Sequence, residues 1–352
     1  MTRQYRRLLL STCFSIAVLM ILEIVLRMAG FPRGTFAAFF PHGPGLYPEN
    51  ASMLMTWGPV PYVVRSNSLG LRGQEISREK AGGSLRVVTI GDSITDCFFV
   101  DNEDTWQYRL SGILNDGSAR PVEVVNCASG GGSIGRELML LEKHGVPLNP
   151  DMVILTFAAN DIAEIVGKPE HALIEEGGNC GDTAMTMAQR FLLTRTAIGE
   201  GLYGVYLAAR SPSYRAGRKM VRRSPAERYQ VAGGSDFQAN AVISLRRFAR
   251  TDGLVLGESF DPATQAAVSV YGRLLARFAS ICGSNDTRLV VAYFPAYSQV
   301  YMKGAPALIS ETLQRMCGPL NIDFLDLTPG FRERGAGRIL HLAPLDFHLN
   351  PE

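Results

Sequence analysis

The sequence predicts an α/β protein built on a mostly parallel five-stranded sheet with helices on both faces. Two observations carry this. Short apolar runs rich in β-branched residues recur along the chain, and stretches of helical periodicity separate them. Strands alternating with helices join most simply as a parallel sheet whose two faces are both covered. A third feature stands apart: an apolar run at the extreme N-terminus, behind Arg3, Arg6 and Arg7.

That run defines the first segment, residues 1–31. Leu8 to Leu22 carries no charge. Alone it is shorter than the roughly 20 residues of a spanning helix, but counting through Met28 reaches that length. Glu23 and Arg27 stand at i,i+4 and are expected to pair on one face. The segment reads as a signal-anchor, with a cleaved signal peptide or an amphipathic surface helix as alternatives. The positive flank puts the N-terminus inside and the body outside.

Residues 32–84 read as a lead-in with short extended elements, Val63 to Arg72 among them. The main domain is expected over 85–352. Arg86 to Ile90 is its first strand and runs into Gly91-Asp92-Ser93. Asp104 is expected to cap a helix carrying Trp106, Leu110, Ile113 and Leu114 on an apolar face. Val122 to Cys127 is the second strand, followed by a turn at Gly130, Gly131 and Gly132 and a helix through Leu138, Leu140 and Leu141. Met152 to Phe157 is the third strand and ends at Ala158-Ala159-Asn160-Asp161.

Residues 162–260 break this cadence and read as a helical, partly basic insertion. Arg210, Arg215, Arg218, Lys219, Arg222, Arg223 and Arg228 face only Glu227 there, and could meet an anionic surface of lipid headgroups or glycans. A solvated linker is the plainer alternative. The cadence resumes at Asp261-Pro262, a helix start, with Val268, Tyr271, Leu275, Phe278 and Ile281 as its apolar face. Leu289 to Phe294, a helix over Leu308 to Met316, and Ile322 to Leu327 complete the pattern.

Composition excludes little. Lys and Arg total 35 against 33 Asp and Glu, a net charge of +2, which selects neither an acidic nor a basic partner. No basic run is interleaved with an aromatic groove pattern, so nucleic acid is not an expected partner. The six cysteines lack zinc-like spacing and read as isolated thiols. Asp92, Asp161 and Asp346 could approach one another, but no His, Cys and acid ligand set accompanies them. No metal or cofactor is expected.

The chemistry gathers at strand ends. Ser93 stands in a small-residue turn just beyond a strand, and needs a base and an oxyanion site to act as a nucleophile. Gly131 and Asn160 each follow another predicted parallel strand, so all three should share one sheet edge. With the Ser93 N–H, the Gly131 N–H and the Asn160 amide could surround a tetrahedral oxygen. Among five histidines, His348 follows the last strand and is the expected base, with His341 as its backup. Asp346 could orient the imidazole, although its i,i+2 spacing makes a direct pair dependent on an extended backbone.

Taken in order, four blocks resemble the SGNH, or GDSL-like, hydrolase superfamily. They are Gly91-Asp92-Ser93-Ile94-Thr95, Asn126-Cys127-Ala128-Ser129-Gly130-Gly131, Ala158-Ala159-Asn160-Asp161 and Asp346-Phe347-His348-Leu349-Asn350-Pro351-Glu352. Asn67-Ser68-Leu69-Gly70-Leu71-Arg72, with Leu22 to Arg27 at the membrane exit, resembles bacterial membrane-anchored members. The resemblance implies a three-layer α/β/α sandwich. It implies ester hydrolysis by Ser93 and His348, with Ser93, Gly131 and Asn160 forming the oxyanion hole. Two departures stand out. The family's acid lies three residues before its histidine, where this chain has Leu345. The family also continues into a closing helix, whereas this sequence stops at Glu352.

The expected function is a serine-dependent acylesterase acting outside the cytoplasm through an acyl-enzyme, with O-acetylated polysaccharide as the substrate class. The expected location is a bacterial inner membrane, with the domain facing the periplasm. The alternatives are a polysaccharide O-acyltransferase using the same nucleophile, or a non-catalytic glycan- or assembly-binding module.

Overall fold

A computed structural model describes residues 3–29, 47–55, 60–131, 133–178, 196–199, 202, 205, 209, 254–302, 304–336, 338, 340–341 and 348–350. Helix α1 spans Arg3–Met28 and is long and apolar enough to cross a membrane. Its apolar side chains are exposed along its length. Glu23 and Arg27 pair as their spacing predicts, at 2.7 Å. The Glu23 carboxylate also accepts the backbone N–H groups of Ala197 and Ile198, which ties the end of α1 to the insertion. The basic run from Arg210 to Arg228, and Cys180, lie outside the described residues.

A hairpin of β1 (Ser52–Met55) and β2 (Tyr62–Arg65) precedes the main sheet. The sheet itself contains β3 (Leu85–Ile90), β4 (Val122–Asn126), β5 (Met152–Phe157), β6 (Arg288–Tyr293) and β7 (Asp323–Asp326). Its order is β4-β3-β5-β6-β7, and every neighbouring pair is parallel. Each of these strands falls on one of the five apolar runs. Val88, Ile90, Leu155, Phe157 and Val291 are fully buried, as strands covered on both faces require.

The chain enters this sheet at β3, steps to β4 on one side, then crosses back to β5 on the other. The order therefore reverses around β3. In open α/β sheets, ligands bind beyond the carboxyl ends of the strands at such a reversal. Ser93 follows β3 and Asn160 follows β5, so both stand at this point.

Helices α2 (Ser93–Asp96), α3 (Trp106–Asn115), α4 (Ile134–Leu140), α5 (Asn160–Ile165), α6 (Glu170–Gly178) and α7 (Pro262–Ser284) fill the crossovers. Helix α7 starts as expected. Asp261 is its N-cap, accepting from Ala263 and Thr264 at 2.9 and 3.0 Å, with Pro262 at the first helical position. Tyr271, Leu274, Leu275 and Phe278 seal its inner face. Helices α8 (Tyr297–Tyr301), α9 (Leu308–Cys317) and α10 (Thr328–Arg334) complete the chain.

Two local expectations fail around α3. Its N-cap is Thr105, which accepts from Tyr108 N–H, while Asp104 lies in a single 3-10 turn over Asn102–Asp104. Thr105 takes the cap because its hydroxyl sits one residue nearer the first helical turn. The apolar face of α3 is also only partly covered: Ile113 is 70 % exposed and Leu114 39 %. Ile113 lines an apolar trough rather than packed core.

Arg86 shows how the far end of β3 is held. Its side chain is fully buried yet saturated, pairing with Glu123 at 2.7 Å and donating to the carbonyls of Ser77, Arg78 and Leu148. Among the described residues, Cys97, Cys127, Cys282 and Cys317 are buried free thiols, in line with the spacing.

Candidate active site

Strand β3 ends in a turn with no room for side chains. A Cβ on Gly91 would overlap the hydroxyls of Thr156 and Thr95, so the backbone passes directly against β5. Asp92 then caps α2, its Oδ1 accepting the Ile94 N–H at 2.9 Å. Ser93 is the first helical residue and is 9 % exposed.

His348 comes from the far end of the sequence, 255 residues away, yet its Nε2 lies 2.8 Å from Ser93 Oγ. The structure thus brings together the serine and the histidine that the sequence selected. His341 takes a different place. It forms a β-bridge with Leu349 and is buried against Tyr297 and Tyr301. Burial, and then the neighbouring His348, push His341 down to about 3, so it stays neutral. Asp346 lies outside the described residues.

Asn160 stands across the turn from β3. Its Nδ2 donates to Asp92 Oδ2 at 2.6 Å. One carboxylate therefore serves both sides, capping α2 with one oxygen and fixing the Asn160 amide with the other. The amide's other contact is long, 3.5 Å to Glu164 Oε1, and this N–H is the one a ligand oxygen would take over. The glycine turn after β4 is held close by, with Ser129 N–H donating to Gly91 O at 3.2 Å. Gly131 has φ +74°, a left-handed conformation that suits glycine. Arg136 donates to the Gly131 carbonyl at 3.1 Å, bracing this turn from α4.

Carboxylates accumulate behind Asn160. Glu137 and Asp161 are each about 1 % exposed. Burial, then repulsion from Asp92 and Glu164, raises Glu137 well above its ordinary range. Burial and the charge of Glu137 do the same to Asp161. Among the described residues, no cluster of His, Cys, Asp and Glu could hold a metal ion.

Aromatic residues enclose His348. Phe98 stacks on its ring at 5.6 Å, and Phe99 meets it edge-on at 5.0 Å. Ser93 and His348 also border the apolar trough, a cavity of about 590 Å³ between α3, the sheet face at Ile154 and Ala292, and α10.

Several of these partners were not legible as site residues. Asp92 appeared only as an acid near a turn. Phe98 and Phe99 carried no signal beyond following Ser93. The signal for Arg72, described below, was its place in the Asn67 to Arg72 block.

Residues 89–352 match the model of the GDSL-like lipase/acylhydrolase family. The chain belongs to this family. Membership places it among hydrolases acting on ester bonds. Among solved structures, it is similar to a catalytic mutant of an acetylxylan esterase from Geobacillus stearothermophilus. That match has 12 % identity and a TM-score of 0.40, covering 77 % of this chain and 90 % of the other. A second acetyl xylan esterase aligns at 12 % identity and TM-score 0.38, over 76 % of this chain and 92 % of the other. A two-domain esterase active on acetylated mannans aligns at 14 % identity and TM-score 0.36, over 76 % of this chain and 44 % of the other. No curated protein matches the sequence.

Proposed function

We propose that this GDSL-family chain is a serine acylesterase working through an acyl-enzyme, with O-acylated polysaccharide outside the cytoplasm as its substrate class. The observation that carries the proposal is the 2.8 Å contact between Ser93 Oγ and His348 Nε2, made across 255 residues of sequence. Two side chains so far apart in the chain meet at this distance because the fold holds them there. A serine beside an imidazole has a base for its proton.

In this mechanism His348 Nε2 accepts the Ser93 proton as Oγ attacks the ester carbonyl. The tetrahedral oxygen is held by the N–H groups of Ser93 and Gly131 and by Asn160 Nδ2. Asp92 supports this role by keeping the Asn160 amide aimed before substrate arrives. His348 then protonates the departing alkoxide, leaving an acyl group on Ser93. Water attacks in a second round, with His348 again taking and returning a proton. Asp346 is the residue proposed to orient the imidazole. The glycan assignment rests on the resemblance of the four sequence blocks to exported family members that handle O-acetyl groups on polysaccharide. With α1 as a membrane anchor, Arg3, Arg6 and Arg7 favour a periplasmic domain on a bacterial inner membrane.

The test is intact-mass detection of the acyl-enzyme with short aryl esters, comparing wild type with S93A, H348A and D346A. The expected adduct appears on wild type and is absent from S93A. Labelling that persists in S93A refutes the nucleophile. Unchanged turnover in D346A rejects the orienting role. Acyl transfer to an added glycan, in place of release to water, would assign the chain to O-acyl transfer.

A further inference from the structure

The lead-in before the family-matched region reaches into the catalytic turn, most extensively through the side chain of Arg72. Arg72 is 3 % exposed. Its Nη1 donates to the carbonyls of Asp96 at 2.5 Å and Cys97 at 2.8 Å. Its Nη2 donates to Val100 O at 2.5 Å, and its Nε to Asn102 Oδ1 at 3.1 Å. The Asp96 carboxylate lies 3.8 Å away, and the Tyr62 ring stacks beneath at 5.5 Å. One guanidinium thus gathers three carbonyls of the turn that leaves Ser93.

That turn has an uncommon backbone. Cys97 and Phe99 both adopt left-handed conformations, with φ +60° and +70°. Such φ values are unfavourable for side chains of this kind and persist only where surrounding contacts enforce them. Their effect is to swing carbonyls inward to Arg72 and the rings of Phe98 and Phe99 outward to His348. The tip of the Phe98 ring also presses on the glycine turn, where a Cβ on Gly130 would overlap it. Asp96 joins the same assembly, accepting from Tyr47 OH at 2.6 Å. One rigid unit therefore runs from the lead-in, through Arg72 and the turn, to both His348 and the glycine turn.

We propose that Arg72 is a positioning residue for ester hydrolysis: it holds the turn after Ser93 so that Phe98 and Phe99 fix the His348 ring against Ser93 Oγ. The inference rests on the Ser93–His348 reading above. Lysine cannot replace Arg72, because its single ammonium cannot span acceptors spaced around a planar fork. A small displacement of the base is enough to slow the reaction, since misplacement by about 1 Å can cost about 10²-fold in rate.

The experiment uses the full chain in detergent micelles. An aryl phosphonate titrates the competent Ser93, and kcat and KM for p-nitrophenyl acetate are normalised to titrated sites. The variants are R72K, F98L, the double variant R72K/F98L, and R86K as a control for loss of a buried arginine at the opposite end of β3. Per competent site, R72K should lower kcat by about 10²-fold with KM nearly unchanged. The loss in R72K/F98L should be no larger than in R72K alone, because both act through the same ring. R86K should lower Tm and leave kcat per site unchanged.

A merely structural Arg72 would reduce the number of titrated sites and leave kcat per site intact, which overturns the inference. Multiplicative losses in the double variant overturn it as well. If R72K does not fold, F98L decides: a lowered kcat with normal KM supports the proposal, and normal turnover defeats it. Absence of any phosphonate on Ser93 in wild type overturns the esterase reading and this inference together.

Discussion

Asn160→Ala should lower kcat by about 10²- to 10³-fold, equivalent to about 3–4 kcal/mol of lost transition-state stabilisation. The structure supplies the reasoning. Asn160 Nδ2 donates to Asp92 Oδ2 at 2.6 Å and lies 3.5 Å from Glu164 Oε1, so the amide is oriented before substrate binds and a developing oxyanion replaces the long Glu164 contact. Such preorganisation favours the transition state over the ground state, so kcat should fall while KM changes little. The same substitution leaves Asp92 Oδ2, on a residue 3 % exposed, without its donor. An unsatisfied buried acceptor costs about 1–3 kcal/mol of stability, which melting curves would register. The assay is kcat and KM per titrated Ser93 with aryl acetates, together with the pre-steady-state rate of acylation. A per-site kcat within about threefold of wild type would refute the oxyanion role, because removal of one such donor costs far more.

Other substitutions test the frame around the site. Glu137→Gln should gain stability relative to wild type as pH rises from 4 to 8. The sign follows from the direction of the shift. The folded chain holds a proton on a raised carboxyl that the unfolded chain releases, so wild-type stability declines as pH rises and the glutamine variant escapes part of that decline. Melting curves from pH 4 to 8 would show it, and a parallel offset at all pH values would contradict it. Gly91→Ala should destabilise by about 1–3 kcal/mol, through overpacking against Thr95 and Thr156; chemical denaturation measures this. Arg86→Ala should cost about 3–5 kcal/mol by leaving Glu123 and three carbonyls without a partner. Circular dichroism melts would test it, and a loss confined to activity would contradict it.

The frame of the fold was legible because its signals are local. Four of the five strands are apolar runs rich in β-branched residues, as buried parallel strands must be, while the edge strand β7, Asp323–Asp326, is only half-buried and was marked by Ile322, Phe324, Leu325 and Leu327 around it. The sheet edge that gathers Ser93, Gly131 and Asn160 followed from that alternation. The Ser93–His348 contact was legible as a pair of candidates, but its distance came from packing of elements remote in sequence. Asp92 was not legible as a brace, because its role depends on where β5 delivers Asn160. The left-handed residues Cys97 and Phe99 were invisible, since nothing in their types favours such backbone; the guanidinium of Arg72 enforces it from outside. Thr105 displaced Asp104 as a cap because a two-residue choice depends on a single turn of backbone.

The bond between Tyr47 and Asp96 has a consequence for where the enzyme can work. It fixes the start of the lead-in to the catalytic turn, while Met28 ends the helix proposed to sit in the membrane. The chain between these two residues, fully extended, spans at most about 65 Å. With α1 in a bilayer, Ser93 is therefore leashed within a shell of that depth above the lipid surface. Under the proposed polysaccharide reading, glycan within this shell would come within reach, and the same polymer farther out would not.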